Sequence, residues 1–167
     1  MAPRHVLAPL TAALVLSTTS AASAFAATSG TARADQAQSA SARTARAHLT
    51  KRVRALHWAY SQRGKPYQWG GTGPRGYDCS GLVYEAYRHQ GINIGRTTYQ
   101  MLGSRRVYRV SRPQPGDLAF YGSGHVELYV HRGMSFGALD AGTRIWWHRF
   151  SRWWHPTRYF RVRGASA

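Results

Sequence analysis

The sequence predicts an α+β fold in which N-terminal helices pack on an antiparallel sheet of about five or six strands. Apolar residues recur at helical spacing in the first half of the folded region, for example at Val53, Leu56 and Tyr60. The second half holds short segments that alternate between apolar and polar side chains and are separated by glycine-containing turns. Helical and strand patterns are thus segregated along the chain, which is typical of α+β proteins.

The first residues have the features of a secretory signal peptide, which we assign to residues 1–26. Arg4 and His5 precede a mostly apolar run from Val6 to Leu16, and small residues with two A-x-A cleavage patterns follow. The run is shorter than the roughly 20 residues that span a bilayer, so cleavage is favoured over a membrane anchor. We therefore expect a secreted, extracellular protein associated with the cell wall and without stable membrane insertion.

Residues 27–47 are built mainly from Ala, Ser, Thr, Gln and Arg and contain no aromatic residue. Such a segment cannot bury enough apolar surface to offset its ordering entropy, so we predict a flexible linker. The folded domain is expected over residues 48–163, a length that suits one core. We expect it to be a monomer.

The charge of the chain is strongly positive. The formal net charge is +17, and nearly all of it comes from arginine. A charge of this size on a small domain favours polyanionic partners, although a merely solubilising role is the simpler interpretation. Export makes anionic cell-wall polymers the expected partner, and no nucleic-acid partner is expected.

Each predicted element has its own boundary signals. Thr50 can cap a first helix that continues through Arg63 and ends at Gly64. Asp78 can cap a second helix that ends near Gly91. The predicted strands lie near Val107 to Val110, Asp117 to Tyr121, His125 to Val130, Met134 to Leu139 and Arg158 to Val162.

Cys79 is the one cysteine of the chain, and it begins the second predicted helix. No internal disulfide is possible, so the thiol is a buried inert group, half of an intermolecular bridge or a reactive centre. At a helix N-terminus the macrodipole favours a thiolate, and the free N–H groups can stabilise an oxyanion. This placement favours a nucleophile.

His125 is the best candidate for the base that a nucleophile needs. It opens a strand in which His, Glu and Tyr alternate with three aliphatic residues, directly after the turn Gly122-Ser123-Gly124. The aliphatic face is expected to pack into the core, and the His125 side chain is expected to project into a cleft. An ordinary surface histidine on an edge strand is the alternative.

Four ordered stretches resemble the NlpC-type family of cell-wall cysteine peptidases. They are Gly64-Lys65-Pro66-Tyr67-Gln68-Trp69-Gly70-Gly71, Tyr77-Asp78-Cys79-Ser80-Gly81-Leu82, Pro115-Gly116-Asp117-Leu118 and His125-Val126, and the segment Arg96-Thr97-Thr98-Tyr99-Gln100 also fits. The resemblance implies a papain-like fold and hydrolysis of the peptidoglycan stem peptide, commonly between D-glutamate and a diamino acid. It makes Cys79 the nucleophile and His125 the base, with no cofactor and no metal.

The same resemblance implies substrate-binding roles for three residues near the nucleophile. Asp78 and Ser80 would hold the free amine of a trimmed stem peptide, and Tyr67 would donate a hydrogen bond near the oxyanion. Each also has a structural interpretation: a helix cap for Asp78, a first-turn serine for Ser80 and a buried tyrosine with a bonded hydroxyl for Tyr67.

The sequence departs from the family at a third polar residue, which lies about twelve positions after the base and orients it. Here that position is Gly137, which has no side chain. His148 is our first candidate to replace it and Asp140 the second; a backbone carbonyl or a water is also possible. Glu127 shares the face of His125 but lies one pleat further, roughly 6.5 Å along the strand.

The segment from Ile145 to Phe160 interleaves aromatic residues with arginine and histidine. We favour the interpretation that these aromatics close the core; a stacking surface for glycan or polyanion is the alternative. Three functions therefore remain open: the peptidase, a non-catalytic cell-wall or polyanion-binding module on the same fold, and an exported nucleic-acid binder. A nucleophile beside a base favours the first, because binding alone requires neither.

Overall fold

The computed structural model describes Gln36, Gln38, Ser39 and residues 49–166. The predicted signal peptide and nearly all of the predicted linker lie outside the described residues. Within the described part, no helix combines the length and the hydropathy that a membrane span requires. The account below concerns the compact unit formed by residues 44–167.

Three helices precede the sheet, and each begins at a residue whose side chain caps it. Helix α1 is Lys51–Tyr60, α2 is Cys79–Arg88 and α3 is Thr98–Gly103. Thr50 caps α1 and Asp78 caps α2, as the sequence predicts. Helix α3 was not predicted; a capping box between Thr97 and Gln100 stabilises its first turn.

Six antiparallel strands form one sheet in the order β1-β6-β2-β3-β4-β5. The strands are β1 Val107–Val110, β2 Leu118–Tyr121, β3 His125–His131, β4 Met134–Gly137, β5 Trp146–Arg149 and β6 Arg158–Val162. Five of them match predicted strands, with β4 ending two residues earlier than expected. Strand β5 was not predicted, because its sequence Trp-Trp-His-Arg shows no alternation. The α+β fold with helices before an antiparallel sheet is confirmed.

The core lies between the helices and one face of the sheet. Leu82 and Val83 of α2 are fully buried, as are Phe120 and Leu128 of the central strands. The core continues past the predicted end of the domain, since Ala165 is fully buried and its carbonyl accepts a hydrogen bond from the Arg52 N–H at 2.9 Å.

Register determines which residues of the central strands lie on the face of the sheet opposite the core. Leu118 and Phe120 pair with Leu128 and Val126 on the core side. The residues between them point the opposite way, because successive strand side chains alternate. Tyr121 pairs with His125 there, and Ala119 pairs with Glu127. His125 and Glu127 therefore share a face.

Candidate active site

Cys79 is the first residue of α2, where the helix begins after a loop rich in glycine. Its thiol is free, and the residue is partly exposed. A cleft of about 560 Å³ opens at this point, and Cys79 lies in its lining together with Tyr67, Ser80 and Tyr99. The sulfur thus combines a helix N-terminus with access to solvent, as a nucleophile requires.

His125 is the first residue of β3, and its side chain keeps 15% of its surface exposed. Burial lowers the pKa of His125, but hydrogen bonds and negative charge from Cys79 and Glu127 outweigh it and raise the pKa to about 9. The predicted nucleophile and the predicted base therefore lie close enough for Cys79 to raise the pKa of His125.

Glu127 contacts His125, which the sequence analysis did not expect. Its Oε1 lies 3.3 Å from Nε2 of His125 and 2.7 Å from Nδ1 of His148. His125 and Glu127 are two positions apart along β3, and the flexible glutamate side chain spans the distance between them. Burial raises the pKa of Glu127, but hydrogen bonds from His125 and His148 outweigh it and lower the pKa to about 2. The carboxylate is ionised at neutral pH.

The two candidates for the missing third residue lie in different places. His148 is in β5, where its Nδ1 reaches Glu127. In the described part of the chain no hydrogen bond or ion pair joins His148 directly to His125. Asp140 is exposed in the turn after β4, and its backbone groups bond to Thr143. The three residues Glu127, His125 and His148 form one connected group, and Asp140 is not part of it.

The sequence contains a hint that Glu127 contacts His125, but the hint is recognised only when the strand register is known. A fully buried glutamate is rare unless its charge is paired. Glu127 has no exposed surface, and its strand neighbour is the small Ala119. A glutamate in an otherwise core-like strand, two positions after a candidate base, would have pointed to an ion pair with it.

Asp78 is held in a dense network at the start of α2. Its Oδ1 accepts hydrogen bonds from the Gly81 N–H at 2.6 Å and from Ser80 Oγ at 3.2 Å. Its Oδ2 accepts a hydrogen bond from the Gly70 N–H at 2.9 Å and pairs with Arg96 Nη2 at 2.6 Å. Both oxygens are therefore already engaged, and the structural role of Asp78 as a cap is established by these contacts.

Arg96 is a cleft residue whose side chain the sequence analysis did not single out. Besides Asp78, its guanidinium donates to Ser80 Oγ at 3.0 Å and to the Gly71 carbonyl at 3.3 Å. Tyr67 lines the same cleft, and its pKa is raised by burial and by the negative charges of Cys79 and Asp78. Tyr67, Asp78 and Ser80 thus line the same cleft as Cys79.

The C-terminal aromatic residues divide between the core and the site. Trp147 packs against the core, whereas Trp153 is 86% exposed. Trp154 stacks on Tyr121 with 4.4 Å between ring centroids and meets the His125 ring edge-on at 5.3 Å. The prediction that the aromatic residues close the core is therefore correct for only part of the segment. Trp154 instead packs against His125.

A family model described as NlpC/P60 family matches residues 64–163. A probable endopeptidase p60 of Listeria seeligeri is 41% identical over 90 residues, which cover 52% of this chain and 17% of that protein. The bifunctional muramidase/DL-endopeptidase CwlT of Bacillus subtilis is 36% identical over 92 residues, covering 50% of this chain and 28% of that protein. The chain thus spans less than a third of either relative.

Solved structures agree with these matches. The NlpC/p60 domain of the peptidoglycan hydrolase SagA superposes with a TM-score of 0.59 at 29% identity, covering 66% of this chain and 98% of that one. The protein RipA, which interacts with a resuscitation promoting factor and was solved mutated at a glutamate, gives a TM-score of 0.60 at 28% identity, with coverage of 70% and 63%. Because the family model covers more than half of the sequence, the chain belongs to the NlpC/P60 family, as its motifs indicated.

Proposed function

We propose that this protein is a secreted cysteine peptidase that hydrolyses peptide bonds in the stem peptide of peptidoglycan. The observation that carries the proposal is that Cys79, at the N-terminus of α2, lies close enough to His125, at the start of β3, to raise the pKa of the histidine. Membership of a family whose relatives are named as endopeptidases supports it. The open cleft at Cys79 gives a peptide access to the sulfur.

The reaction follows from this pair. With a pKa of about 9, His125 is protonated at neutral pH, so it holds the proton that the leaving amine needs. The attacking form of Cys79 is the thiolate. Cys79 attacks the carbonyl carbon, and N–H groups at the start of α2 receive the developing oxyanion. His125 gives its proton to the leaving amine as the C–N bond breaks. The neutral imidazole then takes a proton from water, which attacks the thioester and releases the acid and the thiolate.

We place the cut between D-glutamate and the diamino acid of the stem, on the strength of the family resemblance. The name of the related CwlT, a DL-endopeptidase, supports this bond. Tyr67 would donate to the oxyanion, and Ser80 with Asp78 would receive the amine of a trimmed stem. Arg96 already neutralises much of the Asp78 charge, so this subsite would bind an ammonium group less tightly than a free carboxylate would.

Anionic wall polymers are the proposed partners outside the catalytic cleft. Four acidic side chains in the described part of the chain are already ion-paired within the protein: Asp78, Glu85, Asp117 and Glu127. Exposed arginines therefore carry most of the surface charge. A groove of about 460 Å³ on β1 and β6, lined by Arg109 and Arg158, is a suitable place for a phosphate-bearing polymer.

The proposal is tested by digesting purified peptidoglycan with the wild type and with Cys79→Ala and His125→Gln. His57→Gln is the matched control, because His57 is exposed on α1. New amino termini are expected from the wild type and from the control and not from the other two. Release by Cys79→Ala would contradict the proposal. Retention on the wall without release by any form would favour a non-catalytic binding module, and salt-dependent DNA binding alone would favour a nucleic-acid binder.

A further inference from the structure

We propose that Glu127 is the positioning residue of His125, and that it supplies from β3 the carboxylate for which Gly137 leaves no side chain on β4. The inference rests on the proposed function, because it assigns the group that orients the proposed base. The carboxylate comes from β3, whereas the family resemblance places the third polar residue at the position of Gly137 on β4.

The contacts of Glu127 fit an orienting role. Its Oε1 faces Nε2 of His125 at 3.3 Å, so Nδ1 is the ring nitrogen left for the Cys79 thiol. The carboxylate thereby fixes the ring and stabilises its positive charge, as the buried acid does in serine and cysteine triads. No surface of Glu127 is exposed, so water does not compete for this contact.

The remaining contacts hold the carboxylate in place. His148 Nδ1 donates to Oε1 at 2.7 Å, Ser135 Oγ donates to Oε2, and Tyr121 OH lies 3.5 Å from Oε2. These donors come from β5, β4 and β2, so four adjacent strands converge on one group. His148 acts on His125 only through Glu127, and this explains why it is near the site without contacting the base.

Gly137 and Glu127 compete for the same volume. A Cβ atom built on Gly137 would lie 2.6 Å from Cγ of Glu127 and 2.9 Å from its Cδ. Any side chain at position 137 would therefore enter the space that the Glu127 carboxyl group now fills. On the opposite side, β2 presents only the methyl group of Ala119. The site has room for one acid, which can come from either strand and not from both.

Comparison with RipA supports the inference that the acid lies on a different strand in this chain. That protein was solved in forms mutated at a histidine and at a glutamate, and the glutamate is numbered twelve higher than the histidine. Twelve positions after His125 is Gly137. The RipA spacing thus puts an acid at the position that is glycine here, and this chain has its acid two residues after the histidine instead.

The first experiment measures His125 directly and needs no substrate. Glu127→Gln keeps the shape of the side chain and removes its charge, so the pKa of His125, followed by NMR, should fall from about 9 towards its ordinary value. The rate of Cys79 alkylation by iodoacetamide at pH 7 should fall with it, because fewer thiolates are paired with an imidazolium. The other charged or titratable groups at the site, Cys79, His148 and Tyr121, are unchanged in this variant.

Glu85→Gln is the matched control for the loss of a buried, ion-paired glutamate. Glu85 is 7% exposed and pairs with Arg88 on α2, away from the histidine. This variant should leave both the His125 pKa and the alkylation rate as in the wild type. On peptidoglycan, Glu127→Gln should lower kcat by between about 10² and 10⁴-fold with little change in KM.

The second experiment moves the carboxylate to β4. Glu127→Ala should lower the rate of peptidoglycan hydrolysis. Adding Gly137→Glu to this variant should raise the rate at least tenfold, because the new side chain enters the vacated space. In the double variant Glu127→Ala with Gly137→Gln, the new side chain has the volume of glutamate without its charge. This variant should be no more active than Glu127→Ala alone. Thermal melts of all three variants show whether each is folded.

Three results would overturn the proposal. They are an unchanged His125 pKa in Glu127→Gln, full activity in Glu127→Ala, and equal rescue by glutamate and glutamine at position 137. A wild type without peptidase activity would instead refute the proposed function, since the NMR and alkylation measurements are independent of substrate.

Discussion

At His125, burial and electrostatics oppose each other. Burial disfavours the charged ring, whereas hydrogen bonds and negative charge from Cys79 and Glu127 favour it more strongly and hold the pKa at about 9. The imidazolium is therefore the form present through the neutral range.

The rate of hydrolysis should fall on the alkaline side as pH rises through about 9, because His125 then loses the proton that it gives to the leaving amine. A pH–rate profile of kcat/KM on a soluble stem peptide checks this. His57→Gln should keep the same alkaline limb. An alkaline limb near pH 6.5, the ordinary value for histidine, would show that Cys79 and Glu127 do not raise the pKa of His125 in solution.

Local signals, a helix start and a turn before a strand, predicted Cys79 and His125 as site residues, and the structure has both at these positions. Sequence reasoning missed Glu127 because that role depends on side-chain reach and on the neighbouring strand. Gly137 showed that the expected acid was absent, but only the register shows that the space above Gly137 is filled by Glu127. The reach of a side chain along its own strand, and the free space that the neighbouring strand leaves for it, are not visible in a one-dimensional pattern.

At the scale of elements, α2 carries the proposed nucleophile Cys79, and Asp78 caps its first turn. The carboxylate caps the helix through the Gly81 N–H and forms an ion pair with Arg96 from the segment before α3. The position of the Cys79 sulfur relative to His125 therefore depends on a side chain that precedes it by one residue.

Replacing Asp78 should separate these two contributions. Asp78→Asn keeps a good capping residue and loses the ion pair, whereas Asp78→Ala loses both. We expect the free energy of unfolding to fall by about 2 to 4 kcal/mol for Asp78→Ala and by roughly half of that for Asp78→Asn. Urea titrations measure both values. Equal losses for the two variants would mean that capping contributes nothing.

The two elements that the sequence did not predict show no clear apolar period. Helix α3 has only six residues, and β5, with the sequence Trp-Trp-His-Arg, does not alternate between apolar and polar side chains. Strand β5 is stabilised by pairing with β4, and its Trp147 packs on Phe136 with 5.1 Å between ring centroids.

At the scale of the whole molecule, the surface arginines and the proposed active site lie in different places. Four acidic side chains of the described residues are held in internal ion pairs, and arginines remain on the surface, including the groove on β1 and β6. Glu127 and His125 lie on β3, another strand of the same sheet. Wall adhesion and hydrolysis should therefore be separable by mutation.

Retention on purified cell walls should fall steeply as salt rises, because exposed charges are screened over about 8 Å at physiological ionic strength. Replacing Arg109 and Arg158 by Gln should weaken retention more than replacing Arg132 and Arg149, which are exposed elsewhere. Co-sedimentation with walls before and after removal of their phosphate polymers measures this. Equal weakening by both pairs would mean that the groove has no special role.

The close approach of Gly137 to Glu127 also limits how such a site can evolve. An acid cannot be added on β4 while the one on β3 remains, since the two would overlap. If the β3 acid is lost first, the histidine has no partner in the meantime. A switch between the two arrangements therefore requires either a weakened intermediate or a paired substitution, so the two positions should change together among related proteins.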